Sequence, residues 1–323
     1  MRSVAWAAAF VVCWSSGFVG AAFVEELPSA GLLAWRYLIT AALFLALFGV
    51  LRPRLSRLEV GQQSVLGILG HVLFLGGVFA AAAAGANAGV TALICALQPM
   101  VVACAGRVVW KDTFRPIQVV GLVLGLVAVA LSVGGSSVDG GAANLLAVVS
   151  LLGLSANALL ERAWRPRTPV VTALGVQIIA SAGVFTVVAI ALGDIMIPVD
   201  GRVAGAMAWL VLLSGVGGYA SYIVCLRRLG ASPTSALLYL TPPVTTVWAW
   251  AMFAQRPGLG ELVGLAVGAV AVILVLAPRA SGTGAAQARA EQTGADRIGS
   301  ARIAEWSQMP APGGAGPGKR ERL

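Results

Sequence analysis

The chain has 323 residues, 59% hydrophobic and 11% charged, with a mean hydropathy of +0.89 and a net charge of +9 at pH 7. Soluble domains carry about a quarter charged residues, so this composition excludes a water-soluble globular protein and indicates an integral membrane protein. The positive charge does not indicate nucleic-acid binding, because most Lys and Arg residues stand at the ends of apolar runs.

Ten apolar segments follow one another along the chain, each close to the roughly 20 residues that a helix needs to cross the hydrocarbon core. They are long and continuously apolar, unlike the short alternating strands of membrane barrels, so helices are predicted. The fold class is therefore an all-α polytopic membrane protein with ten transmembrane helices. The predicted spans are 4–24, 30–51, 64–84, 87–109, 116–135, 143–160, 169–191, 205–226, 232–254 and 259–277.

The hydrophobic pattern is repeated at an offset of 143 residues. Between residues 86–133 and 229–276 the match has no gap, and Pro99 corresponds to Pro242. Each copy holds five spans, an odd number, so the second copy must enter the bilayer from the opposite side. Inverted repeats of this kind are typical of secondary transporters. The predicted domains are two five-helix repeats, 1–135 and 143–278, followed by a tail, 279–323.

The distribution of cations predicts the orientation in the membrane. If the N-terminus is cytoplasmic, 12 Lys and Arg residues of the ends and loops lie on the cytoplasmic side, against only Arg202 and Arg256 on the other. The positive-inside rule therefore predicts a multi-pass protein of the cell membrane with both termini in the cytoplasm. Residues 279–323, rich in Gly, Ala, Pro, Arg and Glu, are expected to form a disordered cytoplasmic tail.

Prolines stand near the middle of spans four and nine. Pro99, Pro242 and Pro243 each remove a backbone N–H and crowd the carbonyl four residues earlier. Freed backbone groups at membrane depth must be satisfied by protein or by a water-filled cavity, so two equivalent breaks point to a transport site. The alternative is a kink that only shapes packing. Gln98 and Thr241, which precede the prolines at equivalent positions, favour the site.

Glycines spaced four apart recur in spans five and ten. Gly121 and Gly125 share one face of span five, and Gly264 and Gly268 share one face of span ten. Small residues at this spacing let helix backbones approach closely in lipid. The pairs predict that spans five and ten pack tightly, either with each other or within each half, and that they have no role in substrate binding.

A few polar groups lie inside or at the end of the apolar spans. Arg36 lies about two turns into span two, where it could attract an anion or anchor one helix to another, and the anchor is the favoured role. Glu161 stands beside Arg162 at the end of span six and is expected to form a surface ion pair. His71 is the only histidine, and a lone histidine is more often a packing residue than a ligand or proton relay.

Several functional classes lack their motifs. No Walker A motif is present, so ATP hydrolysis is not expected to power transport directly. The sequence also has no metal-binding, nucleophile or CxxC motif, so no cofactor, metal or enzymatic activity is predicted. The four cysteines match neither a metal site nor a disulfide framework. No acidic residue lies in mid-span, which weakens carboxylate-based coupling, while a proton stays open as the coupling ion. The substrate, the direction of transport and the oligomeric state are not predicted by these patterns.

The ordered set of motifs resembles the drug/metabolite transporter superfamily, specifically its EamA family. The resemblance covers residues 1–278 and rests on segments 13–19 (CWSSGFV), 33–37 (LAWRY) and 235–242 (SALLYLTP). The family's Gly-Glu pair after spans four and nine is replaced here by Lys111-Asp112 and Ala254-Gln255. The resemblance implies a ten-helix carrier whose central cavity is lined mainly by spans one, three, four, six, eight and nine. It also implies movement of small molecules, commonly export of amino acids or other metabolites, without ATP.

The function predicted from all of this is a secondary transporter of small metabolites, an exporter of amino acids or related compounds, that works by alternating access. The alternatives are a flippase for lipids or lipid-linked sugars and a non-transporting membrane subunit or sensor. The expected partners are a small-molecule substrate and the lipid bilayer. Aromatic side chains would form apolar or cation–π walls and polar ones would orient the substrate. The residues expected to line the cavity are Trp14, Ser15, His71, Phe74, Gln98, Asn157, Tyr222, Tyr239 and Thr241.

Overall fold

The computed structural model describes residues 2–22, 26–85, 91, 94–133, 141–198, 200–254 and 259–276. All regular secondary structure in these ranges is helical. The predicted tail, 279–323, lies outside the described residues.

The described helices lie within or close to the apolar segments of the sequence. Five of them, α2, α3, α6, α7 and α8, are long and apolar enough to cross a membrane. An all-helical polytopic membrane protein is thus confirmed, whereas the count of ten spans stays a prediction. The helices are α1 Arg2–Ala22, α2 Ser29–Leu51, α3 Arg57–Ala83, α4 Gln98–Trp110, α5 Pro116–Val133, α6 Gly141–Trp164, α7 Val170–Leu192, α8 Gly201–Leu229, α9 (residues 231–253) and α10 Leu259–Leu276.

The contacts between helices follow the same pattern in both halves of the chain, where the counterpart of each helix is the one five helices further along. Helices α2 and α7 pack together, as do α5 and α10, and each of these pairs joins two counterparts. Helix α1 packs on α8 and α9, and its counterpart α6 packs on α3 and α4. A chain whose halves are related by an approximate twofold axis produces this pattern, which agrees with the repeat in the sequence.

The middle turns of α3 and α8 are π-helical, over Ile68–Gly76 and Leu210–Gly218. His71 and Ser214, which lie in these two segments, are separated by the repeat offset of 143 residues. Most π-helical segments in proteins are single turns, and they are frequent at functional sites. In the first segment a Cβ on Gly70 would lie 2.7 Å from the Asn157 Nδ2, so a larger residue there would displace that amide.

The two helices that contain π segments are capped at their N-termini. Before α3, the Ser56 hydroxyl accepts from the Glu59 N–H at 3.2 Å, and the Glu59 carboxylate accepts from the Ser56 N–H at 2.9 Å. Before α8, the Asp200 carboxylate accepts from the Val203 N–H at 2.8 Å. Such caps satisfy donors that the first helical turn leaves unpaired. They fix where both helices begin.

In each repeat, one helix begins with proline in its first turn. Helix α4 begins at Gln98 with Pro99 in its first turn. In α9 a short helix, Ala231–Ala236, is followed by a 3-10 turn and then by the helix Thr241–Phe253, which has two prolines in its first turn. A proline in a first turn forfeits no intrahelical hydrogen bond. Each proline is thus accommodated because a new helix begins just before it, and the helical path of α4 and α9 is interrupted just before Gln98 and Thr241.

Helices α5 and α10 approach each other through glycines. A Cβ on Gly121 would lie 2.9 Å from the carbonyl oxygen of Ala271, and one on Gly125 would overlap the ring of Tyr239. On α10, Gly268 lies close to the Tyr239 carbonyl, and Gly264 is buried. At Gly121 the close backbone of α10 leaves no room for a side chain, and at Gly125 the Tyr239 ring of α9 occupies that space.

Candidate functional site

A cavity of about 180 Å³ lies between α1, α2, α3 and α8, so helices of both repeats surround it. Three aromatic side chains, Trp14, Phe74 and Tyr219, form one wall, and aliphatic residues of α3 form much of the rest. Its polar lining comes from Arg36 and Ser214. The cavity can therefore take a small ligand with an apolar body and one polar group.

An aromatic cluster around Trp14 closes the inner end of this cavity. The Trp14 ring lies 5.3 Å from Phe10, 5.7 Å from Phe74, 4.8 Å from Tyr219 and 5.4 Å from Tyr222, measured between ring centroids. Offset and edge contacts at these distances are favourable beyond simple burial of area. The cluster brings together three of the residues predicted from sequence, which come from α1, α3 and α8.

Arg36 stands at the cavity wall and is only 4% exposed. Its Nη2 donates to the Ser214 hydroxyl at 3.2 Å, which links α2 to α8. Among the residues that the structure describes, no carboxylate forms an ion pair with this guanidinium. Arg36 thus performs the anchoring role expected from sequence and also presents an unneutralised cation to the cavity.

His71 lies beside the cavity in a chain of hydrogen bonds. Its Nδ1 is 2.8 Å from the Tyr37 hydroxyl, its Nε2 is 3.3 Å from the Gln177 Oε1, and the Gln177 amide donates to Gln63 at 2.8 Å. Because the Gln177 oxygen accepts, the network assigns the proton to Nε2 and the Tyr37 hydroxyl donates to Nδ1. The ring is 1% exposed and packs on Tyr219, so in this conformation it positions the wall of the cavity.

Tyr222 and Asn157 meet on the side of the aromatic cluster away from the cavity. The Tyr222 hydroxyl donates to the Asn157 Oδ1 at 3.2 Å, and the Asn157 Nδ2 donates to the Leu66 carbonyl at 2.8 Å. Helices α3, α6 and α8 are joined at this point. This polar layer therefore adds to the closure of that end of the bundle.

Five buried polar side chains at the interrupted helices have no hydrogen-bond partner among the residues that the structure describes. They are the amide of Gln98, with both its atoms, and the hydroxyls of Thr241, Thr91, Thr234 and Ser235. Each pair of counterparts, 91 with 234 and 98 with 241, is separated by the repeat offset. Ser15 is also buried here, and its hydroxyl donates to the Thr241 carbonyl at 3.3 Å. Unpartnered buried polar groups are costly, so a repeated set of them calls for a functional reason.

Tyr239 lies away from the cavity. It is completely buried, its hydroxyl donates to the Leu122 carbonyl at 3.1 Å, and its ring covers Gly125. In this conformation it packs α9 onto α5 and does not join the other predicted site residues.

Two ion pairs cross the end of the bundle beyond Asn157, where α6 and α8 end. Glu161 accepts from Arg227 at 2.7 Å, and Arg227 also donates to the Thr168 carbonyl at 2.5 Å. Arg162 forms a two-pronged pair with Asp112, with one contact of 2.8 Å. Glu161 is only 5% exposed. The expectation of a surface pair was wrong, because Arg227 reaches the carboxylate from the neighbouring helix and covers it.

Besides Arg36, three residues of this site were not among those expected to bind substrate. Ser214 and Tyr219 line the cavity, and Arg227 provides the cation of the buried pair. Ser214 could have been found from the sequence because it is the repeat counterpart of His71. Arg227 could have been found because it lies at the end of a span, on the same side of the membrane as Glu161.

A larger groove of about 540 Å³ lies on the outer surface between α2 and α8. Its lining is apolar, and it includes exposed side chains such as Met196 and Leu212. Lipid chains would cover such a surface in a bilayer. As for metals, the described ranges contain no cluster of three His, Cys, Asp or Glu side chains that could hold an ion.

Comparison with known proteins agrees with this architecture. A solved structure titled "Crystal structure of protein" has the same fold, with a TM-score of 0.73, 16% identity, and coverage of 85% of this chain and 97% of its own. The "Uncharacterized transporter YyaM" of Bacillus subtilis (strain 168) is 26% identical over 270 residues, 75% of this chain and 81% of that protein.

The EamA-like transporter family matches the chain twice, over residues 1–134 and 141–277. The two matches together cover most of the chain and confirm the resemblance found in the motifs. The chain is thus a multi-pass membrane protein and belongs to the EamA-like transporter family.

Proposed function

We propose that this protein is a secondary carrier that exports amino acids or related small metabolites by alternating access, without ATP. The observation that carries the proposal is the 180 Å³ cavity, which helices of both repeats surround. It extends along α3 to the exposed residue Ala82 at one end, and the Trp14 cluster closes the other end. A cavity that is open at one end and closed at the other is expected of an alternating-access carrier in one of its two states.

The positive-inside rule places the ion-pair end of the bundle in the cytoplasm. On that orientation the cavity faces outward, and three layers separate it from the cytoplasm. They are the Trp14 cluster, the Tyr222–Asn157 contact and the two ion pairs. Residues 1–135 and 143–278 act as the two inverted repeats, with ten spans in all, that move relative to each other.

The unpartnered groups of α4 and α9 are proposed to serve the opposite state. When the ion-pair end opens, Gln98 and Thr241 would meet substrate or water at the two helix breaks. This explains why polar groups that destabilise the outward-facing state are present in both repeats.

The alternatives have less support. A flippase needs a polar path for a headgroup, and the 540 Å³ groove that opens toward lipid is lined by apolar side chains. A non-transporting subunit has no need of a cavity whose wall includes a buried cation. An enzyme would need a nucleophile–base pair or a metal centre, and the described residues of the cavity wall include neither.

The test compares spent medium and cell extract from deletion, wild-type and overexpressing cells, using untargeted mass spectrometry. Export predicts at least one metabolite whose external level rises with wild-type expression. Its level should not rise with an equally expressed Gln98→Leu variant. If no soluble metabolite follows expression, export is wrong. Counterflow in liposomes loaded with amino acids then shows whether the purified protein itself moves the solute.

A further inference from the structure

We infer that the cavity binds the carboxylate of a small organic acid, with Arg36 as the group that pairs with it. This inference rests on the proposed function and adds the chemical class of the substrate. Three observations support it: the state of the Arg36 charge, the rest of the cavity lining and the cavity volume.

The first observation is a buried cation without a counter-ion. Arg36 is 4% exposed at a cavity wall, and within the described part of the chain no carboxylate pairs with it. Ser214 accepts one hydrogen bond but carries no charge. An isolated charge is costly to bury and is stabilised when an anion supplies the missing charge and hydrogen bonds. The free space in front of the guanidinium is where that anion would lie.

The second observation is the polarity of the other walls. Trp14, Phe74 and Tyr219 present aromatic surface, and among the described residues no acidic side chain lines the cavity. A guanidinium matches the planar carboxylate with two parallel hydrogen bonds. The Ser214 hydroxyl accepts from Arg36, which leaves its own hydrogen for the carboxylate. An amine would find no acidic partner in this lining, so an anion is favoured over a cation of the same shape.

The third observation is size. An apolar cavity of about 150 Å³ is known to take up benzene, so about 180 Å³ suits an acid with one ring or a short branched chain. Benzoate is therefore a suitable probe. Benzamide has the same shape without the charge, and benzylamine carries the opposite charge.

The experiment measures the binding of these three probes to the purified full-length protein in detergent by isothermal titration calorimetry. Benzoate should bind roughly 10- to 100-fold more tightly than benzamide, which is the usual effect of hydrogen bonds to a charged group. Benzylamine should show no binding. In Arg36→Gln the preference for benzoate over benzamide should disappear, and Arg36→Lys should retain part of it.

The matched control is Arg202→Gln. Arg202 lies at the start of α8, the helix that contributes Ser214, and its side chain is 57% exposed. This variant loses the same charge from a surface position, so its affinity for benzoate should stay within about twofold of wild type. If Arg36→Gln does not fold, Ser214→Ala is the second variant and should weaken benzoate binding more than benzamide binding.

Equal affinity for benzoate and benzamide, or no binding of benzoate to the folded wild-type protein, would overturn the inference. An unchanged preference in folded Arg36→Gln would overturn it too. These results leave the proposed function intact if the medium comparison still finds an exported amine or neutral solute. Conversely, benzoate binding by a protein that changes no external metabolite would support the anion site and count against export.

Discussion

At the scale of single residues, the charge and hydrogen-bonding state of buried side chains is the most informative feature of this protein. Within the described ranges, Arg36 is buried without a carboxylate beside it, and the side chains of Gln98 and Thr241 are buried without a hydrogen-bond partner. Selection for stability alone would remove such groups, since each destabilises the conformation in which it is unpaired. Their presence at the cavity and at the two helix breaks is therefore best explained by a second conformation or a ligand that satisfies them.

The first prediction concerns Thr241→Val and Gln98→Leu. Each substitution replaces an unpartnered polar group with an apolar one of similar volume, so each should raise the midpoint of thermal unfolding in detergent. Transport of the identified substrate should fall at least about tenfold, because the second state loses its polar lining. The measurements are light-scattering or fluorescence unfolding curves and counterflow in liposomes.

Ser155→Ala is the control for this prediction. Ser155 is also buried, but its hydroxyl donates to the Leu151 carbonyl at 2.7 Å within α6. Its removal should change neither quantity appreciably. A lower unfolding midpoint for Thr241→Val, together with normal transport, would show that the hydroxyl has a structural partner and no role in transport.

The sequence predicted some of these residues and missed others for physical reasons. Trp14, Asn157 and Tyr222 were predicted because isolated polar or amphipathic residues in apolar spans are few. Ser214 was missed although it is the repeat counterpart of His71, because its contact with Arg36 becomes visible only once α8 lies beside α2. The partner of Glu161 depends equally on tertiary structure, since the nearest cation along the chain, Arg162, pairs elsewhere.

At the scale of helices, close packing of α5 on α9 and α10 accounts for the glycine pattern. A Cβ on Gly125 would overlap the Tyr239 ring, and one on Gly121 would press on the backbone of α10. The spacing of glycines predicted close packing but not the partner. Likewise the prolines indicated where α4 and α9 are interrupted, because their effect is local. The π-helical turns of α3 and α8 were not predicted, since they depend on what packs against them.

The second prediction follows from this packing. Gly125→Ala should destabilise the protein by about 1–3 kcal/mol, because Tyr239 and α5 must shift to admit the methyl group. Thermal unfolding of the purified protein measures the change. Gly183→Ala in α7 is the matched control, since a Cβ there meets no atom within 4 Å. Its unfolding midpoint should equal or exceed that of wild type. Equal midpoints for both variants would mean that α5 and α9 are not in close contact at Gly125.

At the scale of the whole molecule, the two ends of the bundle are held together differently. At one end, Glu161–Arg227 joins α6 to α8, and Arg162 of α6 pairs with Asp112 in the segment that follows α4; both pairs are partly buried. At the other end, the pair of Arg202 and Glu26 is about half exposed. Exposed pairs contribute little to stability, whereas removing one partner of a buried pair leaves a costly unpaired charge. The buried pairs are therefore the contacts that should stabilise the outward-facing state.

Breaking the buried pair should shift the protein toward the state that is open at the ion-pair end. Cys225 reports on this shift, because it lies two residues before Arg227 on α8 and is completely buried in the present conformation. In a background where the other three cysteines are alanine, Glu161→Gln should raise the rate at which a maleimide labels Cys225. A shift of 1.4 kcal/mol in the equilibrium would raise the rate about tenfold.

Glu26→Gln is the matched control, since it removes one carboxylate from the exposed pair at the opposite end. Its labelling rate should stay close to that of the background protein, because an exposed pair has little effect on the equilibrium. If both variants label at the same rate, Glu161–Arg227 does not hold the bundle closed. If only Glu161→Gln labels faster, the ligand should reverse the effect. A substrate that binds the outward-facing cavity stabilises that state, so saturating benzoate should return Cys225 toward its slow labelling rate.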